Sequence, residues 1–450
     1  MGSLLRDAWA IAIEALRWIE TRKFSERLAL AAVSKQLGIR DSSSIGLAHK
    51  LILETVRRQN LIDYILNSTL RPVDIASFSA SLRAFLRLYT YQVQFEGYNT
   101  YEKAAKLAGI GRSILGWQQV RVAEEFLGLL LRANRKELLG NLSDPEKTAL
   151  IKFQPVWFVK YCFKLLGRSQ AMLYFNSTLA NLPIYIRINT LRDEEDALLS
   201  RLNRENLILE RVDGLKYTYR LVSREIPLLR TPSFGEGLFY IQDKASCLAA
   251  EVADPQAGML VLDVCCAPGA KTTHLAQQME NQGEILSVDY SQRRIDVWKK
   301  ATQRMGVEIA QPVIEDACNP LPFANLEADL VVVDPPCTST GAFSRVPSAK
   351  WRLSKRSISR MAKIQWQMIT NCVDYLKEGG SLVYSTCSIT LEENEILIER
   401  FLKLRPEFAL IESSPRIGAS GLRGQTGSQR LYPHLHACNG FFVAKLVKRG

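Results

Sequence analysis

The sequence has no apolar run of the roughly 18 residues that crossing a bilayer takes. Its start, Met-Gly-Ser-Leu-Leu-Arg-Asp, passes straight into amphipathic spacing and lacks the apolar centre of a secretion signal. Histidine is scarce, with only His49, His274, His434 and His436, and none of these has metal-ligand spacing. The nine cysteines form no paired CxxC sets, which argues against a zinc ribbon or a disulfide scaffold. No basic tail carries the charge. The net +12 divides into +6 over residues 1–150 and +6 over the remainder. Low-complexity segments and fixed repeats are also missing. These absences lead to the expectation of a cytoplasmic chain with free thiols and neither a membrane nor a metal partner. A polyanion partner fits the basic balance, with contacts spread over more than one domain.

The composition is that of a folded protein, 47% hydrophobic and 23% charged, and 450 residues exceed one core. Residues 1–140 read as an all-α bundle. Leu5, Ala8, Trp9, Ala12, Ile13, Leu16 and Ile19 follow helical spacing, and similar stretches recur at 45–68, 80–96, 101–108 and 120–133. Gly38, Pro72, Gly97 and Gly109 to Gly111 are expected to separate them. Residues 141–240 read as a small α+β module, with strands near 184–189, 207–212, 217–221 and 238–241. Residues 241–450 alternate strand and helix, which predicts an α/β, Rossmann-like, doubly wound parallel sheet. A helix over 357–376 is its expected crossover.

Three constellations carry chemistry. The first is the loop Asp263-Val264-Cys265-Cys266-Ala267-Pro268-Gly269-Ala270-Lys271-Thr272-Thr273, between a strand and a helix. It is neither a P-loop nor GxGxxG. Its small residues let backbone N–H groups approach a ligand at a helix start. Asp289 lies 20 positions after Gly269, at the next strand end, where an acid can bind ribose hydroxyls. Asp316, after the third strand, is placed for an adenine edge. The bland alternative is an αβ turn with surface acids.

The second is a pair of cysteines at strand ends, Asp334-Pro335-Pro336-Cys337 and Tyr384-Ser385-Thr386-Cys387. Two thiols, one close to a carboxylate, suit a covalent mechanism with separate attacking and releasing sulfurs. An isolated cysteine would more often be simply buried. The third is the acid-free run with Arg345, Lys350, Arg352, Lys355, Arg356 and Arg360 around Trp351. It suits phosphates and stacked bases, or else a solvated helix start.

At these residues the chain resembles the Fmu/Sun (RsmB-like) family of RNA cytosine-C5 methyltransferases. The matches include the 263–272 loop, Asp334-Pro335-Pro336-Cys337, and Ser385-Thr386-Cys387-Ser388 with Glu392-Glu393-Asn394-Glu395. Arg187-Ile188-Asn189, Gln242-Asp243-Lys244-Ala245-Ser246, Lys350-Trp351-Arg352 and Gly440-Phe441-Phe442 support them. The helical part is similar to the NusB-type RNA-binding bundle. The resemblance implies S-adenosyl-L-methionine as cofactor, held by Cys265, Cys266, Ala267, Pro268, Gly269, Ala270, Lys271, Asp289, Arg294, Asp316 and Asp334. It implies catalysis by Cys387 as nucleophile on cytosine C6, Asp334 at the N3 edge, Cys337 in release, and Lys271. RNA contacts are implied at Arg187, Asn189, Arg345, Lys350, Trp351 and Arg352.

The chain departs from the family pattern at Cys266, where alanine is usual, and at Ala270, where glycine is usual. After Cys337 it has Thr-Ser-Thr-Gly in place of Ser-Gly-Thr-Gly. The expected partner is ribosomal RNA, ahead of transfer RNA. A non-catalytic RNA-binding assembly factor is the reading from another class, opposed by the intact Cys337, Cys387, Asp334 and Lys271. Oligomeric state stays open.

Overall fold

A computed structural model describes residues 2–140 and 142–450. Contacts divide the chain into two compact units. One holds everything up to Leu179 together with Arg345–Arg352. The other holds Ala180–Ser344 and Leu353–Gly450. Among the described residues no helix is long and apolar enough to cross a membrane.

The first unit is all helical. Its larger helices are Gly2–Arg22, Glu26–Gln36, Ser42–Arg57, Gln59–Thr69, Ala80–Phe95, Tyr101–Leu115 and Val156–Ser177. The expected face of the first helix is buried from Ala8 to Ile19, against Ile52, Phe85 and Leu88. Asp41, Ser79 and Thr100 cap helix starts by accepting from Ser44, Leu82 and Lys103 amides. Gly109 to Gly111 do not break the chain as expected, and they lie inside Tyr101–Leu115. Gly111 is there for packing, since a Cβ would stand 2.1 Å from the Phe85 ring. The expected boundary near residue 140 lies instead after Leu179, because helices 146–151 and 156–177 join this bundle.

Arg345–Arg352 complete the bundle. The Lys350 ammonium, fully buried, donates to the Arg57 carbonyl (3.1 Å) and the Phe153 carbonyl (2.9 Å). Trp351 Nε1 donates to the Val56 carbonyl at 2.6 Å. The Val56 and Arg57 carbonyls close Ser42–Arg57, where a helix leaves acceptors without partners and favours a cation. Burial, with Arg57 and Arg58 nearby, pushes the Lys350 pKa well down.

The second unit contains two sheets. Strands β1 (Tyr185–Ile188), β2 (Ile208–Arg211), β3 (Thr218–Ser223) and β4 (Phe239–Ile241) form an antiparallel sheet in the order β2-β3-β1-β4. The larger sheet holds β5 (Leu260–Val264), β6 (Glu284–Asp289), β7 (Ala310–Ile314), β8 (Ala328–Val333), β9 (Leu376–Thr386), β10 (Phe408–Ile411), β11 (Ala419–Ser420), β12 (Gln429–Leu431) and β13 (Phe441–Lys448). Its order is β11-β12-β13-β9-β8-β5-β6-β7, with β10 paired to β13.

The run β9-β8-β5-β6-β7 is parallel. The sheet as a whole is mixed and mostly parallel around this run, because β13 pairs antiparallel with β9 and with β12. A hydrophobic period reports that a strand is buried, not which way it runs. Val331, Val332 and Val333 are fully buried, as a strand covered on both faces requires. The crossover helix is Lys355–Cys372, started by a capping box between Ser354 and Ser357.

Candidate active site

Strands β5, β6, β8 and β9 all end at one edge of the larger sheet, so their parallel order gathers the loops that follow them. The first loop opens with Cys265 at φ 63° and reaches Gly269 at φ 105° before helix Ala270–Gln278 begins. Ala270 is not at positive φ, so the Cβ it carries where the family pattern has glycine brings no backbone strain. Burial pushes both the Cys265 and Cys266 thiols far up.

Beneath the loop the buried Asp263 accepts from Thr272 Oγ1 at 2.5 Å, and Thr272 in turn accepts from Trp298 Nε1. The other Asp263 oxygen, Oδ1, has no hydrogen-bond partner among the described residues. Burial raises this carboxyl to about 6. At the end of β6, Asp289 accepts from the Ala267 amide (3.4 Å) and pairs with Arg294 (3.1 Å), which also donates to the Ala267 carbonyl. Asp316 lies two residues past β7 and accepts from the Cys318 amide. Amides, a carboxylate oxygen without a donor and the Asp289 acid make a fitting cradle for a nucleoside with a charged amino-acid end.

The two expected thiols meet. Cys337 Sγ and Cys387 Sγ are 3.1 Å apart. The Cys337 thiol donating to Cys387 draws the Cys387 pKa down and holds the Cys337 proton on, so Cys337 lies well above the usual thiol range. Asp334 Oδ2 pairs with Lys271 Nζ at 2.5 Å, and Oδ1 accepts from Ser385 Oγ at 3.2 Å. Lys271 lies 5.7 Å from the Phe441 ring centre.

Several residues with no role assigned in the sequence reading hold this arrangement. The fully buried Glu393 carboxylate accepts from the Thr338 amide (2.8 Å), the Thr338 hydroxyl, Ser388 Oγ (2.6 Å), Thr390 Oγ1 (2.7 Å) and Gln365 Nε2 (2.9 Å). Thr338 follows Cys337 and Ser388 follows Cys387, so one side chain joins both thiol loops. Gly341 N donates to the Cys387 carbonyl, and a Cβ there would lie 1.9 Å from the Gly440 carbonyl. Ser339 Oγ lies 3.5 Å from Cys387 Sγ. The acids of 392–395 are visible in sequence, but nothing in them tells that Glu393 and Glu395 turn inward and that Glu393 is the one at the thiol loops.

The expected RNA-facing residues divide. Arg187 is fully buried and donates to Gln242, Thr273 and Gln277, fastening β1 to helix Ala270–Gln278. Asn189, also buried, donates to the Gly237 and Met305 carbonyls. Lys350 is buried in the helical unit, where Trp351 is half-buried. For Arg187, Asn189 and Lys350 the reading as RNA contacts is therefore corrected to internal bonding, because burial leaves each no surface to offer a phosphate. Arg352 remains exposed, though one guanidinium nitrogen donates to the Lys23 carbonyl. Arg345 is half-buried.

Comparison with known proteins gives two family matches. Residues 250–447 match the family described as 16S rRNA methyltransferase RsmB/F, and residues 6–105 match the NusB family. A probable ribosomal RNA small subunit methyltransferase B of Bacillus subtilis (strain 168) is 28% identical over 450 residues, 98% of each chain. A tRNA (cytosine(72)-C(5))-methyltransferase of Pyrococcus horikoshii is 36% identical over 240 residues, 53% of this chain and 60% of that one. Among solved structures, PH0851 superposes with TM-score 0.84 at 27% identity, covering 98% of this chain and 99% of its own. A methyltransferase homolog protein from Pyrococcus horikoshii gives 0.62 at 30% identity, over 68% of this chain and all of its own. NSun6 from the same organism, solved with SFG, gives 0.61 at 26% identity over 66% and 98%.

Proposed function

The chain belongs to the RsmB/F family of RNA methyltransferases, and from that premise we propose that it methylates C5 of a cytosine in ribosomal RNA, using S-adenosylmethionine and a covalent protein–RNA adduct. The observation that carries this reading is the pair of sulfurs 3.1 Å apart beside the Asp334–Lys271 pair. When bound, S-adenosylmethionine supplies a methyl group on a positively charged sulfur. The 265–271 loop, Asp289, Arg294 and Asp316 would hold it. The relative solved with SFG, an analogue of that cofactor, supports the choice.

C5 of cytosine is a weak nucleophile until aromaticity is broken, which is the task of Cys387. Its thiolate, the form that the donation from Cys337 favours, bonds to C6 and moves the C5–C6 π electrons toward the N3 edge. Asp334, steadied by Lys271 and Ser385, hydrogen-bonds that edge and stabilises the adduct. C5 can then accept the methyl group. Attack uses up the Cys387 charge, and with it the interaction that held the Cys337 proton in place. Cys337, once its proton has gone to solvent, takes the proton from C5. The C5–H electrons restore the C5–C6 double bond, and the C6–S electrons return to Cys387 as thiolate.

The two thiols are distinguished by what each variant accumulates. Cys387→Ala is expected neither to methylate nor to trap RNA. Cys337→Ala is expected to attack, accept methyl and stall as a protein–RNA complex that survives denaturing electrophoresis. The reverse pattern would overturn the assignment, and a protein that only binds RNA would trap it in neither variant. A transfer RNA substrate is the second reading, favoured by the 36% identity to the tRNA enzyme. The full-length match to the small-subunit enzyme and the NusB-type part favour ribosomal RNA. Mapping 5-methylcytosine in both RNAs from a strain lacking the gene separates them.

A further inference from the structure

Between Cys337 and the short 3₁₀ turn Thr340–Ala342, Ser339 adopts φ 53° and ψ 29°. This is left-handed backbone, which glycine enters freely and a residue with a Cβ does not. It is the position at which the family pattern noted above has glycine. The chain therefore keeps a side chain where the backbone disfavours one. Strained positions of this kind persist where the side chain contributes to a site. With both cysteines protonated, the Cys387 thiol donates to the Ser339 hydroxyl oxygen at 3.5 Å, and that oxygen is 4.0 Å from Cys337 Sγ. It is the one hydroxyl bonded to either sulfur among the contacts of the described residues.

We propose that Ser339 is a further catalytic residue of this chain, whose hydroxyl turns to donate to the Cys387 sulfur once that thiol ionises and so assigns the first thiolate of the pair to that cysteine. The asymmetry of distance supplies the direction, because a hydroxyl nearer one of two coupled sulfurs favours charge on the nearer one. The lowered Cys387 pKa has Ser339 among its causes, after the donation from Cys337. Burial, and after it Asp334 and Glu393, the acids facing the pair, act oppositely and raise Cys387. Without the hydroxyl, the thiolate rests on one donor against two acids. The proposal relies on the two-thiol reading above for its catalytic meaning, but its chemistry can be read without RNA.

The test is the pH dependence of iodoacetamide alkylation in the full-length protein, with the peptides of Cys337 and Cys387 resolved by mass spectrometry. Ser339→Gly removes both the hydroxyl and the strain. Ser339→Ala removes the hydroxyl and keeps the strain. In both, the alkylation midpoint of Cys387 is expected to rise by about one pH unit, as loss of a bond to a charged group implies. The share of label on Cys387 relative to Cys337 is expected to fall. Ser339→Gly is also expected to melt at a higher temperature than the starting protein. Unchanged midpoints would overturn the proposal, and so would a rise in only one variant, which would trace the effect to the backbone. If Ser339→Ala does not fold, the midpoint in Ser339→Gly decides. If alkylation follows Ser339 and no methyl transfer to RNA can be detected, the methyltransferase reading fails and only the assignment of the first thiolate to Cys387 stands.

Discussion

Asp289 combines two tasks in one carboxylate. It closes β6 and, through Arg294 and the Ala267 amide, fixes the loop proposed above to hold the cofactor. Asp289→Ala removes the acid that would receive ribose hydroxyls and releases the loop with it. Hydrogen bonds to a charged group contribute about 1.5–3 kcal/mol, so the dissociation constant for S-adenosylmethionine is expected to rise roughly 10-fold or more. Calorimetry checks this, and an unchanged constant would remove Asp289 from the site. At this scale the sequence was most readable where a residue sits at a strand end. Asp289, Asp334, Cys337 and Cys387 were placed by counting from apolar runs. Arg187, Asn189 and Lys350 were misplaced for a common reason. A cation or amide looks the same in a sequence whether it meets a phosphate or a backbone carbonyl, and here each meets carbonyls or buried side chains.

Two loops from different strands must present sulfurs at bonding distance, and Glu393 is the part that couples them. Five donors converge on its two oxygens. Glu393→Ala would leave them buried without an acceptor, at about 1–3 kcal/mol for each group that finds no substitute. Thermal denaturation is expected to show a clear drop in midpoint, larger than for Thr338→Val, which removes one of the five donors together with its contact to Ser388. A folded Glu393→Ala protein with the original midpoint would mean that the loops hold themselves. Such coupling was out of reach of the sequence, because it joins residues 338, 365, 388 and 393 that only the fold brings together. Helix and strand positions were legible because their periods are local. The antiparallel β13 and the helix running through Gly109 to Gly111 were not, since strand direction and the Phe85 ring are supplied by distant parts of the chain.

The whole molecule is less divisible than three consecutive domains suggested. The helical unit takes eight residues, Arg345–Arg352, from the midst of the catalytic sequence. A chain beginning at residue 180 is expected to bind S-adenosylmethionine with little change while losing RNA affinity, measured at matched salt. Residues 345–352 in that chain lose their partners at Val56, Arg57 and Phe153, and limited proteolysis is expected to cut there first. Equal RNA affinity would sink the RNA-binding role of the helical unit, and resistance to the protease would show that the segment has other support. The same borrowed segment sets a schedule for biosynthesis. The first 179 residues leave the ribosome early, yet the carbonyls at the end of Ser42–Arg57 receive the Lys350 ammonium only once residue 352 has emerged. At about 5–20 residues per second, that leaves the bundle unfinished for roughly 10–35 seconds, an interval in which a chaperone can reach it.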